Sequence, residues 1–190
     1  MLEIICKIIV LAIVIALVFS IFFKIRKRKK NENKNVEIEP VKKFTPALNV
    51  ILPPDFDIDE FENISKELYV NMQLYFSNLN YENLKKILSE ELYLQFEKQM
   101  NHLQKNNKRS IRDNIEFIDF KINDYNELNG ELNIKISIGV VEDKYTKIVD
   151  DTSEIKKMRY ENYYELELIK NTENWVINKL KLIYSHSKKN

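Results

Sequence analysis

Asn129-Gly130-Glu131-Leu132-Asn133-Ile134-Lys135-Ile136-Ser137-Ile138-Gly139-Val140 is the stretch whose reading decides the fold. Asn-Gly is the preferred two-residue connection of a β-hairpin, because both positions tolerate positive φ. Behind it Leu132, Ile134, Ile136, Ile138 and Val140 alternate with Asn133, Lys135 and Ser137. That period of two, carried by β-branched residues, reads as a strand with one face in a core. Gly139 falls in its second half, where a missing side chain permits a bend or a close approach.

On either side the same alternation recurs. Ile115 to Tyr125 is rich in β-branched and aromatic residues, and its inward set switches phase between Phe117 and Ile118, as a β-bulge would cause. After a charged loop, Asp150 to Lys157, come Met158, Tyr160, Tyr164, Leu166 and Leu168, which mark a third strand. Asn171-Thr172-Glu173-Asn174 turns it into a fourth, Trp175 to Ile183, followed by a short tail. These are the parts of an antiparallel meander.

Upstream the period is helical. Asp57 and Glu60 have the spacing of a capping box, and Phe61, Ile64, Leu68, Met72, Tyr75 and Leu79 follow at three- and four-residue steps. A short helix, Tyr81 to Leu88, turns Leu84, Ile87 and Leu88 inward. Ser89 caps a third helix with the stripe Leu92, Phe96, Met100 and Leu103, widened by Tyr93. Three helices followed by about four strands predict an α+β domain with the helices on one face of a curved sheet, leaving a conical hollow.

The N-terminal end has a different character. Ile8 to Phe23 is apolar apart from Ser20, and with Met1 to Cys6 it supplies the ~20 residues that cross a bilayer core. Lys24, Arg26, Lys27, Arg28, Lys29 and Lys30 follow directly. A secretory signal carries its cations in front of the apolar run, so this order predicts a retained single-pass anchor. Cations resist translocation, which predicts the N-terminus outside and the remainder on the cytoplasmic side of the inner membrane. The same cations can lie on anionic lipid. Asn31 to Pro54 holds all four prolines and no periodicity, and reads as a linker. The expected organisation is anchor 1–23, basic segment and linker 24–54, domain 55–185 and tail 186–190.

Composition narrows the function. Of 30 basic and 29 acidic residues, ten and four precede Asp55, leaving 20 and 25 from Asp55 onward, a net of −5. A mildly acidic domain lacks the basic face that nucleic-acid binding needs. A single cysteine, Cys6, permits no internal disulfide. Two glycines, Gly130 and Gly139, cannot build a phosphate loop. His102 and His186 do not pair by spacing with Cys, Ser or carboxylates into a metal or nucleophile motif. No cofactor is expected.

Phe56-Asp57-Ile58-Asp59-Glu60-Phe61, then Leu84, then Leu88-Ser89-Glu90-Glu91-Leu92-Tyr93-Leu94-Gln95-Phe96 make the chain similar to the Tim44-like family. This is the C-terminal domain of the mitochondrial inner-membrane translocase tether and its bacterial relatives, within the nuclear-transport-factor-two-like fold. One motif departs: a Gly-Asp pair typical of the family is replaced by Leu79-Asn80. The resemblance implies a cone-shaped domain held at the inner face of a membrane, binding a protein client or partner in translocation or membrane-protein assembly. Two other readings accompany it. One is a VirB-eight-like assembly subunit of a secretion or conjugation channel, with its domain outside the cytoplasm. The other is a small-molecule or enzymatic use of the hollow, for which the broader fold offers Asp119, Asp124, Tyr160, Tyr163 and Tyr164 as acids or bases. Tyr160, Tyr164 and Trp175 are the residues expected to line the hollow.

Overall fold

The computed structural model describes residues 50–128, 130–149, 156–170 and 174–188. The expected anchor and its cationic flank lie outside these. Among the described residues no helix is long and apolar enough to cross a membrane.

Three helices precede four strands: α1 (Ile58–Ser77), α2 (Tyr81–Ile87), α3 (Glu90–Lys105), β1 (Lys108–Leu128), β2 (Glu131–Ile148), β3 (Met158–Lys170) and β4 (Trp175–Lys188). The strands form one antiparallel sheet in the order β1-β2-β3-β4. The domain is α+β, with the helices packed on one face of the sheet.

Each helix begins where a short polar side chain can satisfy a free backbone N–H. Asp57 Oδ1 accepts from Glu60 N at 2.9 Å, Asn80 Oδ1 from Asn83 N at 3.1 Å, and Ser89 Oγ from Leu92 N at 3.4 Å. Between α1 and α2 the chain turns through Leu79 at φ 52°. That is the left-handed conformation a glycine adopts freely and a Cβ resists, by roughly 1–2 kcal/mol. Leu79 thus makes this turn where the resemblance implies a glycine, and Asn80 caps the helix that follows.

The buried stripe of α1 is Phe61, Leu68, Tyr69, Met72 and Phe76. Ile64, Tyr75 and Leu79 are only half-buried, while Tyr69 and Phe76, outside the expected stripe, are in the core. The stripe meets Ile134, Ile136, Ile138 and Val140 of β2, all fully buried, and Leu166 and Leu168 of β3. β2 is thus the centre of the core, as its alternation predicts.

β1 is longer than its pattern implies. It starts at Lys108, immediately after α3, where Lys108-Arg109-Ser110-Ile111-Arg112-Asp113-Asn114 shows no apolar alternation. Its pairing with β2 shifts between Asp113 and Glu116, between Phe117 and Asp119, and between Ile122 and Asp124. The middle shift is the expected phase switch. The other two keep Ile115, Phe117, Phe120, Ile122 and Tyr125 all against the core. β4 also runs further than Ile183, to Lys188, so His186 sits on a strand rather than in a tail. At the start of β3, Met158 is exposed and Tyr160 half-buried, so the inward set there begins with Asn162 and Tyr164.

On the outer face Gly139 leaves room for Tyr163. A Cβ at 139 would lie 2.9 Å from the Tyr163 ring and 3.0 Å from Asp119 and Ile118, so glycine is required by a close approach. The same face carries Glu167, whose carboxylate accepts from Asn133 at 3.1 Å, Asn178 at 2.7 Å and Lys179 at 3.0 Å. Burial would raise its pKa, but Lys179 and the two amides outweigh burial and hold it below the usual glutamate value. A carboxylate depressed in the folded state stabilises the fold above its unfolded pKa, about 4.3, and loses that contribution as pH falls through its folded value. The denaturant midpoint should therefore hold from pH 7 to about 5 and fall below it. Glu167→Gln should flatten part of that fall, as urea titrations at pH 7, 5 and 3.5 would measure.

Candidate binding groove

Three loops converge at one end of the sheet. The approach to α1 brings Pro53, Asp55 and Phe56; the β1–β2 hairpin brings Tyr125, Glu127 and Gly130; the ends of β3 and β4 bring Lys170 and Trp175. Together with Asp57, Glu60, Phe61 and Ile64 they enclose a groove of about 580 Å³. This is within the ~300–1,000 Å³ typical of ligand-sized clefts.

Its floor is aromatic. Phe61 is buried and sits 4.9 Å from Trp175, 5.3 Å from Phe56 and 6.4 Å from Phe120, centroid to centroid. Phe56 reaches Tyr125 edge-on at 6.0 Å. Such tilted and edge-to-face pairs place ring edges against ring faces, which fixes the cluster. The rim is acidic: Asp55, Asp57, Glu60 and Glu127 stand against one cation, Lys170, whose ammonium lies 5.8 Å over the Trp175 ring. The Tyr125 hydroxyl reports this field. Its pKa is raised, first by burial and then by Glu127 and Asp55. An aromatic floor under a carboxylate rim suits a cationic, partly apolar group, which gains both ion pairing and ring-face attraction.

A second polar feature lies inside the core. Glu142, fully buried, continues the inward phase of Ile134 to Val140. Its Oε1 accepts from Arg112 at 2.7 Å, Asn162 at 2.7 Å and Tyr164 at 3.2 Å, and its Oε2 from Tyr69 at 3.2 Å. Arg112 also donates to the Tyr164 hydroxyl. Burial works against the Arg112 charge, but Tyr164 and Glu142 more than restore it, so its pKa is raised. Burial likewise raises the Tyr69 and Tyr164 hydroxyls, Tyr69 strongly. Each of these side chains has a partner within the cluster, which ties the sheet to α1 through Tyr69.

The residues expected to line one hollow are thus distributed over separate places. Trp175 is in the groove and Tyr164 in the buried cluster, while Tyr160 points its hydroxyl at Met158 Sδ, 3.5 Å away. Asp119 and Tyr163 lie on the outer face beside Gly139, and Asp124 pairs with Lys135 at 3.1 Å. His102 and His186 are both exposed. Among the described residues no group of three or more His, Cys, Asp or Glu is placed to hold a metal.

The family model for the Tim44-like domain matches residues 50–181, more than half of the chain. The chain belongs to the Tim44-like domain family. The match runs through the sheet as well as the helical motifs at Phe56–Phe61 and Leu88–Phe96. A solved structure, the intermembrane space region of the chloroplast protein ARC6, superposes with a TM-score of 0.50 at 11% identity, covering 68% of this chain and 98% of that one. At that identity the likeness is one of fold, the nuclear-transport-factor-two-like fold. No curated protein matches the chain in sequence. The Tim44-like family is typically non-catalytic.

Proposed function

We propose that the chain is a membrane-anchored protein-binding module, its domain held at the cytoplasmic face of the inner membrane, in protein translocation or membrane-protein assembly. The groove takes a basic, apolar segment of a client or partner. The observation that carries this is the acidic rim on an aromatic floor, in a domain that belongs to the Tim44-like family. The apolar N-terminal run and the cations Lys24 to Lys30 support the anchor and the orientation.

The test is binding of a peptide alternating Lys with Leu to the full chain in detergent micelles, read by tryptophan fluorescence. Asp55 and Glu127 are both exposed and cap no helix, so their reversal leaves the fold in place. Asp55→Lys with Glu127→Lys should weaken binding by ~1 kcal/mol, about fivefold, or more. Unchanged affinity in that variant would remove the groove from the proposal. Orientation is tested separately. A cysteine placed in the domain should resist an impermeant thiol reagent in intact cells, whereas labelling would transfer the domain to the outside and favour the channel-subunit reading.

A further inference from the structure

β4 is an edge strand whose free side is used once and then vacated. Leu88 forms a parallel bridge to Ile177, Ser89 N donates to Ile177 O at 3.0 Å, and Ser89 Oγ donates to Asn178 O at 3.2 Å. The chain then turns away into α3. Beyond that point, among the described residues, no strand meets the free side of β4. From Lys181 to Lys188 every residue but Tyr184 is exposed. Leu182, whose cross-strand neighbour Tyr164 is buried, is itself 52% exposed.

The charges on this edge have a sign. On the outer face Lys179 stands opposite Glu167, Lys181 opposite Glu165, and Lys188 bridges to Glu161 at 3.2 Å. β3 thus presents acids and β4 bases, so the next rung of the ladder calls for acids. Lysines on an edge also repel a second copy of the same edge. Register skips Asn178 and Ile183, which leaves Lys179–Leu182 as an unbulged stretch with two lysines outward and Leu180 and Leu182 inward. At the other edge β1 is interrupted by three register shifts within its length, which disfavours strand addition there.

We propose that β4 accepts an added strand along Lys179–Leu182: an extended partner segment alternating Asp or Glu with apolar residues. Its acids face Lys179 and Lys181, its apolar side chains cover Leu180 and Leu182, and its backbone continues the pairing that Leu88 begins. This is β-augmentation, in which main-chain bonds give affinity and alternate side chains give selectivity. The surface is separate from the groove and does not depend on it.

The test is backbone amide exchange of the full chain in detergent micelles, with a capped peptide alternating Glu and Val and a counterpart alternating Lys and Val. The Glu peptide should slow exchange at alternate residues of Lys179–Leu182, bind about fivefold tighter than the Lys peptide, and weaken with salt. Lys181→Glu, a change at an exposed side chain, should reduce or reverse that preference. Asp55→Lys with Glu127→Lys should leave it unchanged, so failure of the groove and failure of the edge are told apart. Equal protection by both peptides, or none from either, would overturn the proposal. Protection without peptide at doubled particle mass would assign the edge to a second copy, and overturn it too.

Discussion

Glu142→Leu is expected to destabilise the domain by about 3–5 kcal/mol, as a change in urea midpoint at constant slope. Glu142 is fully buried and accepts four hydrogen bonds, from Arg112, Asn162, Tyr164 and Tyr69. Leucine fills much of the volume but accepts none. Arg112, largely buried in the folded state, would keep its charge there and lose its counter-ion. The cost is therefore that of a stranded cation with three orphaned donors, not the net worth of one ion pair. The distinction is measurable. Arg112→Met combined with Glu142→Leu should recover about 1–2 kcal/mol, the part due to the stranded cation, while the donors of Asn162, Tyr164 and Tyr69 stay unsatisfied in both variants. If the double variant is as unstable as the single one, the orphaned donors of Asn162, Tyr164 and Tyr69 carry the cost and the cation does not.

Phe61→Ala is the second large effect, about 3–5 kcal/mol, or a fall in Tm of roughly 10 °C or more. Phe61 is buried and joins three rings, Phe56, Phe120 and Trp175, that come from the chain before α1, from β1 and from β4. Removing it leaves a cavity that rigid strands cannot close. The same change removes the floor under the acidic rim, so peptide binding should fall together with stability. Phe61→Leu separates the two. It retains most of the apolar volume, should cost less than about 2 kcal/mol, and should still weaken binding, because the ring face that attracts a cation is gone.

The helical half of this domain was largely legible. Asp57, Asn80 and Ser89 are capping residues because of their own side chains, and the three- and four-residue spacing of Phe61, Leu68 and Met72 names a face without any partner. Tyr69 and Phe76 widen that face because the helix meets both the sheet and α3, where Phe76 lies 5.4 Å from Phe96. The opening of β1 was not legible. Arg112 there points inward only because Glu142, 30 residues away, is its partner. The groove is half legible: a lone Trp175 opening a strand marks itself, but the acids Asp55 and Glu127 carry no local signal. They acquire a role only when the β1–β2 hairpin and the entry to α1 arrive at the same end of the sheet.

What the residues determined unaided was periodicity: helices before strands, a hairpin turning at Gly130, and a core strand at Ile134 to Val140. Those preferences are set by backbone conformation and by neighbours within a few residues. What tertiary structure alone decided was which polar groups are inside, which rings meet, and where, among the described residues, the outer edge of β4 is unpaired. Each of these depends on pairs far apart in the chain, such as Tyr69 with Glu142, 73 positions away. Their free energy exists only once the sheet has closed the distance.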